Sequence, residues 1–462
     1  MSQSTRRQVT EKVRSLDKEP SLPLTEILDA RMVEDALAAG GVSYNRSIYT
    51  PFVTLCTFLS QVLDPDHSCR AAVARVIVWM AIHDREPCSE QTGTYCDARL
   101  RLPLGVVQHL VRRTGHEVEA GAAADWMWKG RRVLLVDGTT ASMPDTPRNQ
   151  AAFPQPASQA EGVGFPLVRM VAIIALATGV VLDLATGPYA GKETGETALL
   201  RELWDRLEPG GIVLGDRVFA SYFGIAGLCE RGLDGLFRMH QARKYDFRRG
   251  RVLGVEDHVV TWTKPDRPDW MDEATYRRLP GELRVRELRF RVVQPGFRVD
   301  ELVLVTTMVD AGRYSKEELA DLFLKRWNIE LDFRSIKCAL KMDVLRCRAP
   351  EMVEKEIWMH LLAYNLIRGV MAQAAEAHGR APRRVSFTGA WQTMKAFHDS
   401  LVGASPAERE RLVAVMLKAI AGHRVGDRPG RVEPRATERR PKKQRYLNEP
   451  RREARKRLMA NA

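Results

Sequence analysis

Residues 315–340 read SKEELADLFLKRWNIELDFRSIKCAL. Ser315 with Glu318 three positions on fits a capping box, in which each side chain satisfies a backbone N–H at the helix start. A helix is therefore predicted from here to about residue 340. Its apolar stripe is Leu322, Ile329, Phe333, Ile336 and Leu340, the spacing of one helical face. Beside that stripe run Phe323, Arg326, Glu330 and Lys337. At ~100° per residue these four fall within about 60° of one another. One carboxylate is thereby flanked by an arginine one turn before it and a lysine two turns after it. Alone, the set describes surface ion pairs worth roughly 0.2–0.5 kcal/mol each. Its meaning depends on what the rest of the chain brings beside it.

Upstream, Val133-Leu134-Leu135-Val136 is a short apolar run ending at Asp137-Gly138, which predicts a buried strand running into a turn. Leu167 to Ala177 and Val180 to Ala185 are β-rich runs joined by Thr178-Gly179. Glu196 to Leu207 has helical spacing, and Gly211 to Gly215 is a strand that ends at Asp216. Tyr222 to Arg231 reads as helix and Gly235 to Met239 as strand. Strands alternating with helices predict a mixed α/β layer fold. From about 244 to 300 the rhythm gives way to alternating patterns with proline-rich joints, notably 258–263 and 283–293, which predict a β-rich insertion. Leu302 to Val309 is a further strand, and a second long helix is expected at 351–375. Residues 1–125 read as mostly helical, with Ile27 to Ala39 and Ala71 to His83 near helical spacing.

Asp137 and Asp216 each stand just beyond a short apolar run. Carboxylates at strand ends of an α/β sheet point into the crevice where such folds place their sites. With Glu330 they make three oxygen donors, the type that Mg²⁺ prefers. Two such ions clamp the attacking and leaving oxygens of a phosphoryl transfer. Arg326 and Lys337, on the face of Glu330, would then hold a nucleic-acid backbone beside them.

The 462-residue chain carries a net charge of +13, with fourteen Lys/Arg against five Asp/Glu between Arg424 and Ala462. That tail is rich in Pro and Arg and poor in apolar residues. It is expected to be extended or weakly helical until it meets a polyanion, because counterion release rewards clustered cations. It has no apolar face to insert into lipid. The longest apolar stretch, Val171 to Val181, is broken by Thr178-Gly179 and falls short of the ~20 residues of a membrane span. The N-terminus lacks the apolar core of a signal peptide. Seven cysteines, an odd number without CxxC spacing, argue for reduced thiols and against a disulfide scaffold or a zinc ribbon. A cytoplasmic location is expected.

On these residues the chain resembles the DDE transposases of bacterial insertion sequences, in the branch marked by a Tyr-x2-Arg-x3-Glu-x6-Lys signature. Arg326, Glu330 and Lys337 match in type and spacing, with Phe323 in the tyrosine position. VDGT at 136–139 and GDRVFASY at 215–222 look like the segments that hold the family's first two acidic residues. Arg440-Pro441-Lys442-Lys443-Gln444-Arg445-Tyr446-Leu447 is typical of its end. The resemblance implies a ribonuclease-H-like catalytic core interrupted by a β-rich insertion, with an N-terminal helical domain and a basic C-terminal tail. The implied layout is residues 1–125 for a helical, DNA-end-binding domain, 126–243 and 301–375 for the two parts of the core, 244–300 for the insertion and 376–462 for C-terminal helices and tail.

By the same resemblance, Asp137, Asp216 and Glu330 would be catalytic and hold two Mg²⁺ ions, with Mn²⁺ as a substitute. Arg326, Lys337, Phe323, Arg217, Trp262 and Trp270 would face DNA, the tryptophans lying where some relatives hold a hairpin with an aromatic residue. Expected partners are transposon-end DNA, target DNA and a second copy in a paired-end homodimer, with no membrane and no nucleotide cofactor. The expected location is the nucleoid. Two other readings use the same residues: a structure-selective nuclease on the same core, and an inactive DNA-binding protein.

Other motifs are set aside. Gly187 to Thr194 is one residue short of a P-loop and has Glu193 at its Ser/Thr position. No GxSxG is present, and His116-Glu117 lacks the second histidine of HExxH. Glu193 and Glu196 precede a helix, where acidic residues suit the positive end of the dipole.

Overall fold

The computed structural model describes residues 30–40, 48–82, 84–291, 301–402, 404–426 and 449–460. Most of the basic tail, including residues 440–447, and the first positions of the helix expected from Ile27 lie outside the described residues. The chain forms two compact units. One comprises Met1–Trp126, Ala177–Asp183 and Leu331–Val425, and the other Met127–Leu176, Leu184–Glu330 and Gly426–Ala462.

The first unit is helical. Helices Ala30–Ala39, Pro51–Leu63, Cys69–Ile82, Gly93–Arg101 and Leu104–Ala120 pack with Pro350–Ala377, Phe387–Val402 and Pro406–Gly422. Thr50 caps the second of these, its hydroxyl accepting from Val53 N–H at 3.2 Å, with Pro51 at the first helical position. Pro350–Ala377 is buried on nearly every side, the mark of a central helix. Several of its buried polar residues are bonded internally. Asn365 accepts from Val181 N–H and donates to the Val181 and Val111 carbonyls, at 2.8, 2.8 and 3.0 Å. Asp332, fully buried, accepts from Arg368, Arg383 and Tyr364 at 2.5, 2.6 and 2.9 Å.

The second unit holds the strands β1 (Val133–Ser142), β2 (Leu167–Ala175), β4 (Ile212–Gly215), β5 (Asp234–Arg238), β6 (Arg251–Gly254), β7 (Asp257–Thr263), β8 (Glu282–Arg291) and β9 (Glu301–Thr306), and all but the first three residues of β3 (Val181–Pro188). They form one mixed sheet in the order β3-β2-β1-β4-β5-β9-β8-β7-β6. β4 is parallel to β1 and to β5, while β2 runs antiparallel to β1, and β9 antiparallel to β5 and β8. The segment read as an insertion supplies β6, β7 and β8. These continue the same sheet, because β9 pairs with β5 on one side and β8 on the other.

Two expectations are corrected. The first strand does not stop at Asp137-Gly138. β1 continues to Ser142 because Thr139, Thr140 and Ala141 pair with Met170, Arg169 and Val168 of β2, and β-branched residues suit a pleated ladder. Nor is 315–340 one regular helix. Ser315 and Glu318 do form the capping box. The α-helix Lys316–Leu324 then tightens to a 3₁₀ turn at Lys325–Trp327, resumes as Asn328–Arg334 and ends in a π turn at Ser335–Ala339. The Asn328 side chain donates to the Lys325 carbonyl at 2.7 Å, and Ser335 donates to that of Leu331 at 3.0 Å. Such side chains compete with the regular backbone ladder, so a uniform 100° projection does not hold from Phe323 to Lys337.

Candidate active site

The candidate site belongs to the sheet-bearing unit and begins with register. Leu135 pairs with Leu214 across the parallel strands β1 and β4. Two residues further along each strand stand Asp137 and Asp216. Parallel strands lie about 4.8 Å apart, so the fold brings two carboxylates 79 positions apart in sequence to one edge of the ladder. Asp216 can stand there because β4 ends at Gly215 and the chain turns into a short 3₁₀ helix, Arg217–Phe219.

Glu330 comes from the helix that follows the 3₁₀ turn, and Arg326 ties it to the strand. One guanidinium nitrogen lies 3.3 Å from Asp137 Oδ2 and another 3.8 Å from Glu330 Oε1. Arg326 is buried, with a side chain only 8% exposed, whereas that of Glu330 is 49% exposed. Asp137 folds its other oxygen back to accept from Gly138 N–H at 2.8 Å. The Asp216 carboxylate has no hydrogen-bond or ion-pair partner among the described residues.

A fourth carboxylate joins them, and the sequence reading missed it. Glu196 opens the helix Glu196–Leu203, whose Ala198, Leu199, Leu200 and Leu203 are buried and which packs against β2. Full burial of such leucines contributes roughly 1.5–3 kcal/mol each, enough to fix the helix start. Its carboxylate lies over Gly138 and, like that of Asp216, has no hydrogen-bond or ion-pair partner among the described residues. The available sequence signal was a glycine inside a strand, between Asp137 and Thr139.

The electrostatics are those of crowded acids. Burial pushes the Asp137 carboxyl above the usual range and Asp216 adds to the push, while Gly138 N–H and Arg326 oppose it. Burial also raises Glu330, with Asp137 and Asp216 adding repulsion against Arg326. Glu196 is raised by burial, then by Asp137, with Arg169 opposing and Asp216 adding further. Glu196 and Glu330 are each therefore within the field of Asp137 and Asp216, and Asp137 within that of Asp216. Among the described residues no three His, Cys, Asp or Glu side chains close into a ready metal cage, and Arg326 occupies the position of counter-charge between Asp137 and Glu330. The oxygen donors and their mutual repulsion fit a hard divalent cation.

Residues 128–366, which contain Asp137, Glu196, Asp216 and Glu330, match the transposase DDE domain family. The chain belongs to the DDE transposase family. It is a DNA transposase, of a kind that cuts and transfers DNA strands and works with divalent metal ions. The transposase is 30% identical over 352 residues to the transposase InsG of insertion sequence element IS4 from Escherichia coli K12, covering 74% of this chain and 76% of that protein. It is 39% identical over 69 residues to the transposase of insertion sequence element IS421 from Escherichia coli, 15% of this chain and 19% of that one. Among solved structures it is similar to the piggyBac transposase synaptic complex with hairpin DNA. There the identity is 11% and the TM-score 0.36, over 81% of this chain and 86% of that one.

The remaining residues expected to face DNA divide. Phe323 is buried, 2% exposed, and packs with its ring centre 5.9 Å from the Arg326 guanidinium. Trp262 is also enclosed: its indole donates to Glu287 at 2.8 Å, and the Arg243 guanidinium lies 3.5 Å above its ring. Both side chains are buried among the described residues. Trp270 is partly open, with the Arg201 guanidinium 3.8 Å from one face and Phe223 at its edge. Arg217 is exposed and donates to Gln241 at 2.7 Å. Lys337 lies half-buried in the π turn.

Proposed function

We propose that this transposase binds the terminal inverted repeats of an insertion sequence and cuts and rejoins DNA at Asp137, Asp216 and Glu330, on a ribonuclease-H-like core. The observation that carries the reading is the convergence of the three acids: two set side by side by the β1–β4 register, the third tied to the first through Arg326. Two Mg²⁺ ions, with Mn²⁺ as a substitute, would supply Lewis-acid stabilisation of the attacking and leaving oxygens. The carboxylates would hold those ions, and Asp216, with no hydrogen-bond or ion-pair partner among the described residues, is open to do so.

The protein supplies no nucleophile of its own in this reading. Water, or the 3′-hydroxyl of a cut strand, attacks phosphorus, and the 3′-oxygen leaves. The same site therefore hydrolyses or transfers, according to which hydroxyl is present. Arg326, buried against two acids, acts on the carboxylates and keeps the acidic cluster together before DNA and cations arrive. Lys337 and Arg217 are assigned to backbone phosphates, and Trp270 to an unstacked base, since a half-open indole offers a stacking face. Residues 1–125 are assigned to DNA-end binding, and the cationic tail to phosphates. Two copies pair two ends as a homodimer at the nucleoid.

The test is incubation of the protein with end-containing DNA and Mg²⁺, resolving nicked, hairpinned and joined products. Joined products that require two ends support transposition. Cutting without pairing or joining would instead identify a nuclease on the same core.

A further inference from the structure

We infer that Glu196 is a fourth member of the cation-holding carboxylate set. The inference rests on the reading of Asp137, Asp216 and Glu330 given above, and goes beyond it by adding a residue from a different element.

Three independent features point the same way. The first is space. Gly138 has ordinary extended backbone and pairs with Val171 like any strand residue, so nothing in its conformation calls for glycine. The space that a side chain would take is occupied by the end of the Glu196 side chain. A Cβ on Gly138 would fall inside contact distance of Glu196 Oε1 and Cδ and 2.7 Å from its Cγ. Glycine inside a strand weakens it, and here the vacated volume is filled by a carboxylate beside Asp137.

The second is the lack of a partner. Glu196 is half-buried, within the field of Asp137 and Asp216 with Arg169 opposing them, yet it makes no hydrogen bond and no ion pair among the described residues. If the helix dipole alone explained it, the carboxylate would sit at its own helix start and bind the free N–H groups there. It lies over the neighbouring strand instead. A half-buried acid turned toward other acids is costly unless a cation joins them.

The third is the support built around it. Arg169 of β2 donates to the Thr194 carbonyl at 2.6 Å and stacks on Tyr189, its guanidinium 4.5 Å from the ring. These contacts fix the loop that delivers Glu196 two residues later, on the strand adjacent to β1. The direct contacts of the Arg169 guanidinium are thus with the loop's backbone and its aromatic ring, and its charge acts on Glu196 from there.

The experiment is a calorimetric titration of Mn²⁺ into the full chain without DNA, comparing wild type with Glu196→Gln, Gly138→Ala and Asp137→Asn. Unfolding temperatures in chelator check each fold. Glu196→Gln is isosteric and relieves repulsion, so its chelated unfolding temperature is expected to be no lower than wild type. The expected result is a roughly 10–100-fold loss of Mn²⁺ affinity in Glu196→Gln. Gly138→Ala is expected to weaken affinity in the same direction, by displacing Glu196 from the strand side. Wild-type affinity in Glu196→Gln and Gly138→Ala, with affinity lost in Asp137→Asn, would overturn this inference and leave the three-acid reading standing. Wild-type affinity in Asp137→Asn as well would overturn both.

Discussion

The Arg326 guanidinium stands 3.3 Å from Asp137, a residue 189 positions earlier in the chain, and reaches the Glu330 carboxylate with another nitrogen. A buried cation thus bridges a strand acid and a helix acid of the same site. Arg326→Ala removes the counter-charge and leaves Asp137 half-buried against Asp216. A loss of roughly 1–3 kcal/mol is expected, read from unfolding midpoints. Arg326→Lys should recover only part of it, since a point charge cannot serve two acceptors as a planar fork does.

A second buried cluster holds the helical unit. Asp332 accepts from Arg368, Arg383 and Tyr364 with no exposure to solvent. Asp332→Ala strands two arginines without their acid, and breaking such a cluster costs about 3–5 kcal/mol. Thermal unfolding of this variant should begin well below wild type. Asp332→Asn, which keeps an acceptor, should lie between them.

Acid should weaken the same unit through His360. Burial pushes its imidazole down to about 3, neither ring nitrogen has a hydrogen-bond partner among the described residues, and the ring lies 5.6 Å from His67, itself lowered by burial. The unfolded chain takes up a proton near pH 6.5 and the folded one does not. The stability is therefore complete above about pH 6.5 and is lost as pH falls toward the folded value. Between pH 7 and 5 this one residue should cost about 2 kcal/mol. Denaturation curves at the two pH values check it: the loss should shrink in His360→Phe.

The cationic tail makes its own prediction. Each phosphate neutralised contributes about 0.9 to the slope of log affinity against log salt. Replacing Arg439, Arg440, Lys442 and Lys443 with glutamine should lower that slope by up to about 3–4 on end-containing duplex. An unchanged slope would mean that the tail does not touch phosphates.

The parts of this molecule that were legible in the sequence are those fixed by local pattern. Val133–Val136 and Ile212–Leu214 are strictly apolar, so Asp137 and Asp216 stood out as the acids that follow them. Ser315 and Glu318 announced their cap. What local pattern could not carry was register and competition. Nothing in either strand states that Leu135 pairs with Leu214, yet that pairing brings the two acids together. Asn328 looked like any polar helix residue until its amide bonded to the Lys325 carbonyl and tightened the helix there. Trp262 and Phe323 had aromatic chemistry suited to DNA, and only tertiary packing decided that both are enclosed. Glu196 was hidden by a sufficient local explanation, an acid at a helix start, when its side chain answers to Gly138 on another strand.

The central claim is that Asp137, Asp216 and Glu330 act as one site. It is tested most directly by end cleavage in Mg²⁺ with Asp137→Asn, Asp216→Asn and Glu330→Gln, each measured beside its binding to the same end DNA. The account predicts that every one of the three loses strand cleavage while still binding the end. Full cleavage by any one of them would contradict it and remove that residue from the site.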